Sequence, residues 1–187
     1  ASGEFAIRPF IDDDPAAVHD RLVGWADRDD EHVRRLVSEG TRPKLPWAPK
    51  LAITANDPAY AVDLLDRLVD DRSEYVRRSV SNHLNDLCRV DPSLALEVAG
   101  RWLAHADASN EQTREWVVRR GLRTLVKAGN PSAMRLLGHD PDVAVRAELV
   151  MSTPSVAMGE AAEWVLHLES LDTETHRVVV DYAIHHV

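Results

Sequence analysis

Glu39 stands alone among bases. In the run EHVRRLVSEGTRPKLPW, residues 31–47, it is flanked by Arg34 and Arg35 on one side and by Arg42 and Lys44 on the other. Two chemistries fit an isolated carboxylate in such company. It can close an i,i+4 ion pair with Arg35, which adds a few tenths of a kcal/mol to a helix. Alternatively, the bases form a groove that holds phosphates, with carboxylates scattered among them. The pattern partly returns in EYVRRSVSNHLND, residues 74–86, and in WVVRRGLRTLVK, residues 116–127. Repetition favours the second chemistry, because a solvated face has no need to repeat Arg-Arg at one helical position. The exit loop adds Arg42 and Lys44 beside Pro43 and Pro46, with Trp47 close by. Proline geometry presents such bases with little loss of entropy.

The elements that carry these residues follow a period. The Arg-Arg pairs begin at 34, 77 and 119, spacings of 43 and 42 residues. A period just above 40 with helical patterning is that of HEAT-type helix pairs, which bury their apolar faces only by stacking. The first helix of each pair opens on Asp14-Pro15, Asp57-Pro58, Asp91-Pro92 and Asn130-Pro131. These dipeptides combine a side-chain cap with proline at the first helical position. The second helices are expected to start at Asp30, with Gly40 as a left-handed C-terminal glycine, at Ser73 as a cap, and near Asn110, running to 130. Val76, Val80, Leu84 and Leu87 form one apolar stripe, and Val118, Leu122, Leu125 and Val126 another. NPSAMRLLG and DPDVAVRAELVM are read as a shorter last pair. The fold class expected is mainly α, a HEAT-like α-solenoid over residues 1–152.

Residues 153–187 change character. Apolar and polar side chains alternate around Trp164, Leu166 and Leu168, and again from Val178 to His186. Period 2 argues for strands; the competing reading is one more helix pair. Two strands alone are marginal in water, so this segment is expected to be the start of a larger sheet domain.

Composition bounds the function. The net charge is −9, with 44% hydrophobic and 28% charged residues. The charge is unevenly spread. Residues 1–30 hold eight acids against three arginines, whereas residues 33–44 carry a net +3 and residues 114–127 a net +4. Salt screens charges beyond roughly 8 Å, so an acidic chain can carry a basic groove. No apolar run approaches the roughly 20 residues of a membrane span. The single cysteine, Cys88, is expected in the core, and its lack of a disulfide partner fits a reducing, cytoplasmic setting. No metal-ligand spacing occurs among the nine histidines, and the adjacent His185 and His186 would point to opposite faces of a strand. There is no phosphate-cradling Gly-rich loop and no nucleophile elbow. Trp25, Trp102 and Trp164 read as packing residues, whereas Trp116 either packs or touches a ligand. Asp86 is a further acid, with a cap or interhelix bond as its alternative role.

Four stretches, EFAIRPF, EHVRRLVSEGTRPKLPW, SEYVRRSVSNHLNDL and WVVRRGLRTLVKAGNPSAMRLLG, resemble the DNA alkylation-repair glycosylases built on HEAT-like repeats. The AlkC type is the nearer match, and AlkD the more distant relative. The resemblance covers about residues 4–187, and VVVDYAIHHV looks like a strand of the immunoglobulin-like domain that follows the repeats in that type. It therefore favours strands over residues 153–187, as the incomplete start of a β-sandwich. It implies a hydrolase of base excision repair that removes cationic alkylated purines such as 3-methyladenine from double-stranded DNA. It implies a monomer that works without cofactor or metal. By motif position the catalytic acids would be Glu39 and Glu74. The DNA-binding set would be Arg35, Arg42, Lys44, Arg78, Trp116, Arg119, Arg120 and Arg123, although two adjacent arginines cannot both face one groove. Where the AlkC type often has Asp before the proline of its turn, this chain has Asn130. A non-catalytic repeat module that binds DNA or protein is the alternative.

Overall fold

The computed structural model describes residues 3–140, 142–153, 155–180 and 182–183. The chain divides into two compact units, Ala1–Leu136 and Leu137–Val187. The boundary thus precedes the expected one at 152.

The first unit is mainly helical. Its elements are α1 (Gly3–Ala6), α2 (Arg8–Asp13), α3 (Pro15–Ala26), α4 (Glu31–Gly40), α5 (Ala52–Asn56), a 3-10 turn (Pro58–Ala61), α6 (Val62–Leu68), α7 (Glu74–Val90), α8 (Pro92–Ala104), α9 (Glu111–Gly121), α10 (Arg123–Lys127) and α11 (Pro131–Leu136). The capping rule read from the sequence is realised in bonds. The carboxylates of Asp14, Asp57 and Asp91 accept from the backbone N–H of Ala17, Ala59 and Leu94, and the Asn130 side chain accepts from Ala133. Asp30 does the same for α4 through His32. Each bond satisfies an N–H that the helix itself leaves orphaned.

The helices form two layers. α3, α6, α8 and α11 make one, and α4, α7 and α9–α10 the other, with α7 packed on α4, α8 and α9. The apolar stripe of α7 is wholly buried at Val76, Val80, Leu84 and Leu87, as are Val37 of α4 and Val117 and Val118 of α9, the helices packed on it. Full burial of such side chains stabilises by about 1.5–3 kcal/mol each. Cys88 is buried, as expected, and burial pushes its thiol up to about 11.

Four local expectations are corrected. Gly40 does not adopt a left-handed conformation; the positive-φ glycines among the described residues are Gly129, Gly138 and Gly159. Gly40 is small for a different reason, since a Cβ there would lie 2.6 Å from Ile7 Cγ2. Ser73 does not cap α7 with its side chain. Its backbone N–H is taken by Asp71, and its hydroxyl donates to Glu31. The helix expected from 110 to 130 is interrupted at Leu122, because the Gly121 carbonyl is drawn to Asn85 Nδ2 at 2.9 Å. It ends where Gly129, at φ 66°, lets Asn130 N–H return to the Leu125 carbonyl, the 6→1 bond of a Schellman motif. Finally, the described part of DPDVAVRAELVM from Asp142 onward is not a helix.

That last segment supplies β1 (Val145–Met151) of the second unit, paired antiparallel with β2 (Trp164–Ser170) in the register Val145↔Ser170 to Met151↔Trp164. VRAELVM suits either state locally; cross-strand pairing with a second apolar segment decides for strand. β2 fulfils the period-2 reading of residues 164–168. Trp164, expected to pack inside, is 42% exposed and leans on Tyr182 at 5.4 Å between ring centroids. The second expected strand is not formed by residues 178–180 and 182–183. Its remainder, with His185 and His186, lies outside the described residues. No helix among the described residues is long and apolar enough to cross a membrane.

Candidate functional site

The last turn of α4 carries Glu39, and the chain leaves that helix through Thr41 and Arg42. α7 passes alongside and brings Ser79, His83 and Asp86 against this exit. Glu39 is only 6% exposed. Its Oε1 accepts from Arg42 Nη1 at 2.7 Å, and its Oε2 accepts from Ser79 Oγ at 2.5 Å. Arg35 Nη2 approaches Oε2 at 3.2 Å, the i,i+4 pair read from the sequence. Arg42 also gives Nε to Asp86 Oδ2 at 2.8 Å. Burial works against its charge, but Asp86 and Glu39 outweigh burial and raise its pKa. Behind them, His83 is fully buried with Nδ1 3.0 Å from the Ser38 carbonyl. Burial pushes the imidazole down to about 4, so it is neutral at pH 7 and Nδ1–H is the donor to Ser38.

Arg8 fixes the loop that follows. Its Nη1 donates to the carbonyls of Gly40 and Arg42, both at 3.0 Å, while Nε and Nη2 donate to Pro49 at 3.1 and 2.7 Å. The whole exit segment is therefore held to α2 and α7 by charge-assisted bonds, about twice as strong as neutral ones. Glu39 lines a cavity of about 250 Å³ with His32, Val33, Leu36, Arg35 and Tyr75. The Arg35 guanidinium lies over the Tyr75 ring, 4.3 Å from its centroid. This wall combines an aromatic face, a cation and a fixed carboxylate.

Glu74 is placed differently. It opens α7, its side chain is 57% exposed, and its nearest cation is Arg78 at 2.5 Å. It borders a second cavity of about 250 Å³ with Arg77, Gln112, Thr113 and Trp116. Trp116 is partly exposed, with the Arg120 guanidinium 5.8 Å above its ring. Arg119 pairs with Glu115 at 2.8 Å on the exposed side of α9. Arg123 is turned inward, giving Nη1 to the Arg120 carbonyl at 2.6 Å and Nη2 to Asn82 at 3.2 Å. Lys44 is exposed on the exit loop.

Among the proposed DNA-binding cations, Lys44, Arg78, Arg119 and Arg120 therefore face solvent, Arg35 faces the first cavity, and Arg42 is committed to Glu39 and Asp86. The Arg-Arg pairs resolve in the same way. Arg34 is buried, with Nε and Nη2 on Asp71 at 2.6 and 3.0 Å and Nη1 on the Arg28 and Asp29 carbonyls. Arg77 gives Nη1 to the Asp71 carbonyl at 2.5 Å. The first arginine of these two pairs thus holds the inter-repeat corner, whereas the second faces the first cavity in Arg35 and solvent in Arg78. Asp86 plays the interhelix role that was its alternative. Arg8, Ser79 and His83 were missed. Ser79 and His83 do share the face of α7 that carries Val76 and Val80, a signal that they are buried, but nothing in the sequence ties Arg8 to a carbonyl 41 residues away.

The first unit so described is a mainly helical, two-layered packing with Glu39 and Glu74 at two cavities. No family model matches the chain. It is 33% identical over 185 residues to the uncharacterized protein YhaZ of Bacillus subtilis, covering 98% of this chain and 50% of that one. A solved structure of the Pseudomonas fluorescens alkylpurine DNA glycosylase AlkC, bound to DNA containing an abasic-site analogue, matches 89% of this chain and 45% of AlkC. That match has a TM-score of 0.78 and 38% identity. The chain is thus AlkC-like in sequence and in fold, the relationship that its motifs led us to expect. It spans about half the length of both relatives.

Proposed function

We propose that this chain acts as an alkylpurine DNA glycosylase of base excision repair. The observation that carries the reading is the likeness to AlkC at 38% identity over 89% of the chain. The site geometry gives it a mechanism. A cationic alkylated purine such as 3-methyladenine is already a good leaving group, so the slow event is growth of positive charge on the sugar. A carboxylate preorganised at that charge acts on the transition state more than on the ground state. Glu39, gripped by Arg42 and Ser79 at the edge of its cavity, is suited to that task. Glu74, solvated and on the neighbouring cavity, is suited to orienting water. Lys44, Arg78, Arg119 and Arg120 would take phosphates, and Trp116 would stack or pack against the duplex. Arg42 and Arg123 would act on the DNA only through the residues they hold. No cofactor or metal is required by this chemistry.

On the same reading the helix pairs are HEAT-like repeats, the β1–β2 segment is the edge of an immunoglobulin-like domain, and the protein works as a cytoplasmic monomer. Release of 3-methyladenine from methylated duplex DNA tests the proposal. The intact protein should release it, and Glu39→Gln and Glu74→Gln should each lower the rate at least tenfold while duplex binding persists.

A second reading, a non-catalytic module for DNA or protein, is favoured by one feature: both oxygens of Glu39 already have partners. No release from any form would favour it, with salt-dependent duplex affinity pointing to a DNA module and salt-insensitive or absent duplex binding to a protein partner. Binding through six or more phosphates should weaken about 10³-fold between 50 and 200 mM salt.

A further inference from the structure

Trp47 carries two features that a fold does not supply by default. It is 98% exposed, and its φ is +66°, the only positive φ among the described non-glycine residues. The Ala48 N–H bonds to the Leu45 carbonyl at 3.2 Å, so Leu45–Ala48 is a turn with Pro46 second and Trp47 third. Proline at the second position and positive φ at the third are the signature of a type II turn, whose third residue is normally glycine or asparagine. A bulky aromatic there is strained, and full exposure denies it any packing to offset the strain. The turn itself is not loose. Leu45 and Leu51 are buried, and Arg8 grips the Pro49 and Arg42 carbonyls. The same bonds steady Arg42 and, through it, Glu39. Trp47 is therefore projected from the block that holds the carboxylate.

Its neighbours name the partner's chemistry. Lys44 and Lys50 flank it, both exposed, and the stretch 43–56 contains no acid. An aromatic ring between two ammonium groups fits a polyanion with flat, partly apolar faces between its charges. That describes duplex DNA, where phosphates take the lysines and base or sugar edges take the ring. We infer that the Lys44–Lys50 turn is a duplex-contacting wedge, with Trp47 packing against base or sugar edges. The inference rests on the proposed glycosylase reading and adds to it a contact residue outside both cavities.

The test separates the two. Trp47→Ala, Trp47→Gly and Trp47→Phe are compared with the parent by fluorescence anisotropy on a duplex bearing an abasic-site analogue, by base release, and by thermal melting. Trp47→Ala and Trp47→Gly should bind the duplex at least tenfold more weakly, and Trp47→Phe should keep most of the affinity. Trp47→Gly should melt at or above the parent temperature, since glycine relieves the turn. If the parent binds and releases base while all three variants match it within twofold, the inference falls and the function stands. If Trp47→Gly melts well below the parent, Trp47 is a packing residue and the inference falls. If the parent neither binds duplex nor releases base, the proposed function falls first, and a protein partner becomes the occupant of this turn.

Discussion

Glu39 and Glu74 are the same residue type, 35 positions apart on successive second helices, yet they live in opposite environments. Glu39 is nearly enclosed, with Arg42, Ser79 and Arg35 around its carboxylate and Asp86 and His83 behind. Glu74 has Arg78 and water. The contrast shows how the two ends of the second helices in a repeat fold come to differ. The α4 exit loop turns back under α2, where Arg8 anchors it, and so brings Arg42 onto Glu39. Glu74 lies in the first turn of its helix, where no loop returns to cover it. A preorganised charge can stabilise a transition state without reorganising, whereas a solvated one retains the mobility to direct water.

The comparison is broken most directly at its arginines. Arg42→Ala leaves Glu39 and Asp86 buried without their shared cation and should cost about 3–5 kcal/mol in denaturant unfolding. Arg78→Ala removes an exposed i,i+4 pair and should cost about 0.5 kcal/mol or less. Equal costs would mean that the wiring around Glu39 contributes no more than a surface pair.

A smaller effect comes from His83, which only the enclosed region possesses. Its folded pKa of about 4 lies below the ordinary 6.5. Above pH 6.5 both folded and unfolded imidazoles are neutral, and the stability is complete. As pH falls from 6.5 towards 4 the unfolded chain takes up the proton first, and stability drops by up to about 3 kcal/mol. Denaturant midpoints of parent and His83→Gln across pH 4–7 should converge at the acid end. Parallel curves would place the pH sensitivity elsewhere.

The smallest pair of effects sharpens the contrast at the acids themselves. Glu39→Gln keeps the shape but deprives Arg42 and Arg35 of a charge, and should lower stability by about 1–3 kcal/mol. Glu74→Gln should stay within about 0.5 kcal/mol. Both should lose base release, so melting and activity measured on the same samples separate structural from chemical loss.

Much of the scaffold was legible in advance because it is local. An Asp-Pro or Asn-Pro opening places an acceptor against its own helix, and a 3.6-residue apolar stripe declares its buried face, so the helix pairs and their period followed from neighbours along the chain. The Arg35–Glu39 pair belongs to the same class. Elsewhere local signals were ambiguous. Gly40 suits a left-handed cap and a close helix approach equally well, and Ile7 decided for the approach. VRAELVM could be a helix turn or a strand, and pairing with Trp164–Ser170 decided for the strand.

The sequence by itself determined which residue types recur and where helices begin, because those are properties of a few adjacent residues. It could not determine which arginine of a pair turns inward, that Arg8 would clamp a loop 41 residues away, or that a tryptophan would take a glycine's conformation. Those choices rest on which carbonyls and carboxylates meet when helices stack: Arg8 and Arg34 turn inward where several acceptors converge on them, and a buried charge is costly without such partners.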